Sequence, residues 1–284
     1  MFEEINPDRR FLGTTAMKTR SKSTALITGA SSGIGAVYAD RLARRGHDLI
    51  LVARNRDRLD ALATRLTEDP GRSVEVIVAD LNSKADLARV EQILRTDASI
   101  TVLVNNAGAA MSGDLADADP DRLESMIQLN VLAPSRLALA AIPGFVARGR
   151  GTLINISSVL ALAPERFNGA YSGTKAYLLN LSLRLQQEVA SKSVRVQVVL
   201  PGATRTAIWE KAGTDIATLP PSIVMDVDEM VDAALVGLDR GENVTIPSLP
   251  DTADWEAYQA ARQKLIPNLS SKVPAARYRA RVAA

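Results

Sequence analysis

Tyr171 and Lys175 stand four residues apart in Tyr171-Ser172-Gly173-Thr174-Lys175, a spacing that puts both side chains on one face of a helix, about one turn apart. An ammonium beside a phenol stabilises the phenolate, so the pair reads as a proton-transfer group whose pKa falls from about 10 toward the working range. A second chemical signal is Thr28-Gly29-Ala30-Ser31-Ser32-Gly33-Ile34-Gly35. Glycines permit a tight turn and close backbone approach, and the free N–H groups of a following helix suit a pyrophosphate. The spacing is GxxxGxG, unlike GxGxxG, and it lacks the GK[ST] ending of a P-loop. With no cysteine in the chain, disulfide frameworks, thiolate nucleophiles and Cys-ligated zinc are excluded. The lone His47 cannot by itself build a multi-His metal site or a Ser/His triad, and after Arg44, Arg45 and Gly46 it reads as a solvated turn residue.

The elements that must position these groups alternate short apolar runs with longer amphipathic ones from Thr24 onward, the mark of βαβ units around a parallel sheet. Strands are expected at 24–29, 48–53, 73–79, 101–105, 151–157, 194–200 and 243–246, and most are continuous Val/Ile/Leu runs that require helices on both faces. Helices are expected near 34–45, 56–67, 83–96, 119–147, 169–191 and 227–239. The sum is an α/β, doubly wound Rossmann-type fold with a seven-stranded parallel sheet. One domain is expected over 23–248, preceded by a disordered cytoplasmic leader over 1–22. Residues 249–284 form a C-terminal extension, a helix around Trp255 and Tyr258 plus a basic tail that is mobile or touches another subunit.

Placed on that fold, the polar clusters converge. Asn105-Asn106-Ala107-Gly108 closes the fourth strand, Ser157-Ser158 the fifth, and Tyr171 opens the sixth helix, all at the carboxyl edge where open α/β sheets bind ligands. At the end of the second strand, Ala53-Arg54-Asn55-Arg56 offers no acid for a ribose 2′-hydroxyl, whereas Arg54 is suited to a 2′-phosphate or is simply a solvated helix-start arginine. In Val78-Ala79-Asp80-Leu81, the short carboxylate of Asp80 is placed to accept from an adenine amino group.

These motifs together resemble the short-chain dehydrogenase/reductase family, over about residues 24–247. The resemblance implies an oxidoreductase that moves hydride between NADP(H) and a carbonyl or alcohol. It implies Ser158 as the catalytic serine, Asn130 as the catalytic asparagine, Tyr171 as general acid/base, and Lys175 as the group that tunes the tyrosine and holds the nicotinamide ribose. Pro201-Gly202 with Thr204 and Thr206 matches the segment that touches the nicotinamide, and Ala203–Met225 lies where the family has a mobile lid. Gly173 departs from the alanine usual there, and Ser32 stands where a basic residue would favour NADP.

The net charge of +2, from 34 Lys and Arg against 32 Asp and Glu, gives no reason to expect nucleic-acid or anionic-membrane partners. The apolar stretch from Leu137 to Ala147 contains Pro143 and is too short to span a bilayer, so a cytoplasmic location is expected. The partner is a small molecule, apolar or amphipathic given the lid's composition, and the family resemblance implies a homodimer or homotetramer through the helices near 119–147 and 169–191. An NADPH-binding sensor without turnover is the alternative. Pro134, four residues after Asn130, removes the N–H that would meet the Asn130 carbonyl, which predicts a kink there and a carbonyl left free for water.

Overall fold

The computed structural model describes residues 23–279; the expected leader over 1–22 and the last five residues of the basic tail lie outside them. Seven strands, β1 (Thr24–Thr28), β2 (Asp48–Ala53), β3 (Val74–Val78), β4 (Ile100–Asn105), β5 (Gly151–Ile156), β6 (Val194–Val199) and β7 (Val244–Thr245), form one parallel sheet in the order β3-β2-β1-β4-β5-β6-β7. The central strands β1 and β4 are buried at every position, as their unbroken apolar runs require. At the edge, β3 exposes Glu75 and buries only Ile77 fully.

Helices α1 (Gly33–Arg44) and α2 (Arg56–Glu68) pack one face with α8 (Val227–Asp239), where Tyr38, Leu59 and Val231 enter a continuous core. The other face carries α3 (Lys84–Thr96), α4 (Pro120–Ile127), α5 (Ala133–Ala147) and α6 (Gly169–Val189), with Leu87, Leu137 and Phe145 in its core. A short α7 (Ile208–Ala212) follows β6, and α9 (Thr252–Gln263) follows β7. The reversal of strand order between β1 and β4 opens a crevice at the carboxyl edge, and every polar cluster named above lies along it.

Two local expectations change. The helix through Asn130 and Pro134 stays continuous but widens into a π turn over Gln128–Leu132, with Pro134 in the first turn of α5. A five-residue repeat accommodates the missing proline N–H inside the helix, where a simple kink was expected. His47 is half-buried and shares a hydrogen bond of 2.9 Å with Ser23 Oγ, so it is not a free turn residue. The run Pro120–Ala147 is long and apolar enough to cross a membrane, yet α5 buries Leu137, Ala141 and Phe145 in the sheet's own core.

Candidate active site

The turn after β1 is built by removing side chains. Gly29 and Gly33 adopt φ +66° and +55°, in the left-handed region that favours glycine. A Cβ on Gly35 would lie 2.4 Å from the Gly29 carbonyl oxygen and 2.5 Å from Asn106 Nδ2, so only glycine lets the start of α1 come this close to β1. Thr28 Oγ accepts from the N–H groups of Asn106 and Ala107, each at 3.0 Å, and Asn106 Nδ2 donates to the carbonyls of Thr28 and Gly29 at 2.9 and 3.2 Å. Ser31 and Ser32 are half-buried beside this turn, and Ser32 is the N-cap of α1 without a side-chain capping bond. The result is a backbone cradle with N–H groups at a helix start, which fits a dinucleotide pyrophosphate.

Arg54 is exposed at the end of β2, with Nη1 4.0 Å from Asp80 Oδ2. Asp80 Oδ1 accepts from the Asn82 N–H at 3.0 Å, which shapes the turn after β3. Leu81 is buried in the core, so only its main chain remains available to a ligand. On the other side of the crevice, Thr206 lies against Gly33, whose hypothetical Cβ would sit 3.1 Å from Thr206 Cγ2. Thr204 is tied down by its Oγ donating to the Gly202 carbonyl at 3.1 Å, while the Pro201 carbonyl accepts from the Val159 N–H at 3.0 Å. The segment after β6 therefore closes onto the glycine turn.

The side chains between these walls are buried and polar. Asn130 accepts from the Ala109 N–H at 2.9 Å and donates to the Ala109 carbonyl at 2.8 Å and to Thr174 Oγ at 3.1 Å. It thus fixes the loop after β4, including Gly108, against α6. Ser157 Oγ donates to the Lys175 carbonyl at 2.7 Å, and Lys175 Nζ donates to the Ile156 carbonyl at 3.0 Å. Ser158 Oγ accepts from the Leu160 N–H at 3.2 Å. Lys175 Nζ lies 5.7 Å from the centroid of the Tyr171 ring, so the four-residue spacing does bring the pair together.

Burial dominates the protonation of this pair. It pushes the Tyr171 phenol up to about 12, against the pull of a hydrogen bond with Ser158, and it pulls the Lys175 ammonium down to about 8. The expectation of a lowered phenol pKa is not met. The ammonium spends a hydrogen bond on the Ile156 carbonyl, and desolvation of the phenolate is the largest cause acting on Tyr171.

Several contributors escape motif reading. Asn168, buried three residues before Tyr171, caps α6 by accepting from the N–H groups of Ala170 and Tyr171 at 3.0 and 3.1 Å, and donates to the Gly113 carbonyl at 2.8 Å. Its sequence signal was the helix-start preference for Asn. Phe167 meets Tyr171 edge-on at 5.7 Å and Trp209 of α7 at 6.2 Å, an aromatic wall between residues far apart in the chain. Met111 and Leu160 join the same apolar side of Tyr171.

Residues 23–217 match the short chain dehydrogenase family. The chain belongs to that family. A short-chain dehydrogenase from Sphingobium yanoikuyae, solved with NADPH, is 53% identical and superposes with a TM-score of 0.88 over 90% of this chain and all of that one. The bulky-bulky ketone specific alcohol dehydrogenase from Comamonas testosteroni is 46% identical, with a TM-score of 0.84 over 91% of this chain and 99% of its own. Human 17-beta-hydroxysteroid dehydrogenase type 3 is 34% identical over 68% of this chain and 63% of its own. This short-chain dehydrogenase spans about three-fifths of the length of the first curated relatives it matches, the second being a duck very-long-chain 3-oxoacyl-CoA reductase.

Proposed function

We propose that the protein is an NADP(H)-dependent reductase of ketones, or dehydrogenase of the matching alcohols, in which Tyr171 moves the proton. The observation that carries this is a buried phenol one helical turn from a buried lysine, beside a glycine cradle at the same sheet edge. Gly29, Ser31, Ser32, Gly33, Ile34 and Gly35 would hold the pyrophosphate. Asp80, Leu81, Asn106, Ala107 and Gly108 would line the adenosine side and the middle of the crevice. Pro201, Gly202, Thr204 and Thr206 would hold the nicotinamide end. Arg54, an exposed cation with no acid in its own tetrad, would receive a 2′-phosphate, and the NADPH complexes among similar structures support that choice.

NADP(H), when bound, supplies the hydride. Tyr171 donates its proton to the carbonyl oxygen as that oxygen gains charge, and the Ser158 hydroxyl steadies the same oxygen. Lys175 holds the nicotinamide ribose and, as an ammonium, favours the phenolate that remains. Asn130 acts as a clamp on the loop after β4, and its carbonyl, denied an i+4 donor by Pro134, is where a relay water would return protons to Lys175. The aromatic wall of Phe167 and Trp209 supports an apolar ketone as substrate, as does the likeness to an alcohol dehydrogenase named for bulky ketones. A cytoplasmic location belongs to the same reading.

The test is NADPH oxidation, followed at the nicotinamide band, across a panel of aryl and branched ketones with wild type and Tyr171→Phe. Turnover lost in the variant with NADPH binding retained supports the proposal. NADPH binding by wild type with no turnover on any ketone would favour a sensor instead.

A further inference from the structure

The C-terminal extension is rooted but uncovered. Trp255 packs with Leu179, Leu183 and Ile246 and stacks on Tyr258 at 5.5 Å, which fixes α9 to its own subunit. Beyond it, every residue from Ala261 to Arg279 is exposed. The segment nevertheless holds defined 3-10 turns at Ile266–Asn268 and Ala276–Tyr278. Leu265, Ile266, Leu269, Val273 and Tyr278 are each more than half exposed. A segment kept open by solvent alone is poor in such side chains, and a clustered exposed apolar set marks a surface that something covers.

Charge indicates what covers it. Between Arg262 and Arg279 the chain carries Arg262, Lys264, Lys272, Arg277 and Arg279 and no acid. None of the five forms an ion pair among the described residues. The complementary surface is on the same sequence. Residues 113–125, leading from the loop after β4 into α4, carry Asp114, Asp117, Asp119, Asp121 and Glu124 against the single cation Arg122. These five acids likewise form no ion pair among the described residues, and Leu115 stands 60% exposed in their midst. In α8, by contrast, Asp228 and Asp232 bind Arg41 and Asp239 binds Arg45, leaving only Glu229 of its acids without an ion pair among the described residues.

We infer that the arm from Arg262 to Arg279 of one copy docks on the acidic segment 113–125 of a second copy. Five cations meet five carboxylates, and the apolar residues of the arm cover Leu115 and its surroundings. Two copies satisfy the contact twice, arm to segment and segment to arm, so the pair closes on itself. At physiological salt, where screening sets in over about 8 Å, the attraction acts only once the surfaces are near contact. The complex should therefore weaken as salt rises.

The test installs a photo-crosslinking amino acid at Leu269 in the full chain and irradiates the purified protein at low salt. The expected product is a dimer-sized species on a denaturing gel, its cross-linked peptide mapping to residues 113–127 of the other copy. Lys272→Glu with Arg277→Glu should cut its yield at least fivefold, and adding Asp119→Lys with Asp121→Lys should restore it. The inference is overturned by adducts confined to the same chain, by dimer adducts mapping elsewhere, or by no adduct. It is equally overturned if the adduct forms only with lipid in anionic vesicles, or if charge reversal leaves the yield unchanged.

Discussion

The two halves of the sheet make their parts of the crevice by opposite means. On the β1–β3 side the site is shaped by absence: Gly29, Gly33 and Gly35 clear room for a ligand's phosphates. The buried acid on this side, Asp40 of α1, is ringed by Arg41, Arg44 and Arg65. Burial raises its carboxyl, and the bonds from Arg41 and Arg44 more than reverse that, leaving it below the usual range. On the β4–β6 side polar groups reach into the interior itself, most of them uncharged amides and hydroxyls around Lys175. Asn105 Nδ2 donates to the Pro134 carbonyl at 3.1 Å and to Asn155 Oδ1 at 3.0 Å, and Asn155 Nδ2 donates to Ser182 Oγ at 2.9 Å. A backbone cradle recognises what all dinucleotides share, whereas reaction needs side chains fixed in depth, and buried hydrogen-bonded amides fix them.

That contrast breaks if changes on the two sides have the same consequences. The largest effect belongs to the β4–β6 side: Tyr171→Phe should lower kcat by about 10²–10⁴-fold with the Kd for NADPH nearly unchanged. Comparable losses in both would dissolve the division of labour.

Next comes Lys175, whose burial disfavours its charged form. Its folded pKa of about 8 lies below its ordinary 10.5, so the cost is full below pH 8 and disappears as pH rises through 10.5. Relative to Lys175→Met, wild-type unfolding free energy should rise by about 3 kcal/mol over that window, read from urea titrations at several pH values. Parallel pH profiles would mean that the ammonium is not desolvated.

On the glycine side, Gly35→Ala forces a methyl against the Gly29 carbonyl. The overpacking should cost about 1–3 kcal/mol, showing as weaker NADPH binding and a lower Tm while any bound fraction turns over normally. Arg54→Asp exchanges a phosphate partner for a ribose partner, and the ratio of kcat/KM for NADPH over NADH should fall by about tenfold or more. An unchanged ratio removes Arg54 from cofactor choice. The smallest effect is a gain. A Cβ on Gly173 meets nothing within 4 Å, so Gly173→Ala should raise stability by up to about 1 kcal/mol and leave kcat alone.

Much of this was legible in one dimension because its physics is local. Apolar runs bounded by turns located all seven strands to within about a residue or two, with β3 and the two-residue edge strand β7 each over-extended by one residue at both ends. Tyr171 and Lys175 meet because helix geometry alone brings positions i and i+4 together. The glycine turn was legible because few reasons other than close approach place three glycines at a strand-to-helix junction. What the tertiary structure decided depends on residues distant in sequence. Asn130 clamps Ala109 and Thr174, Asn168 holds Gly113, and Phe167 reaches Trp209, pairings with no periodicity to announce them. The protonation of Tyr171 is the clearest case. Sequence places a cation one turn away and argues for a lowered pKa, but only the fold determines how completely water is excluded, and desolvation of the phenolate, the largest cause, shifts it upward.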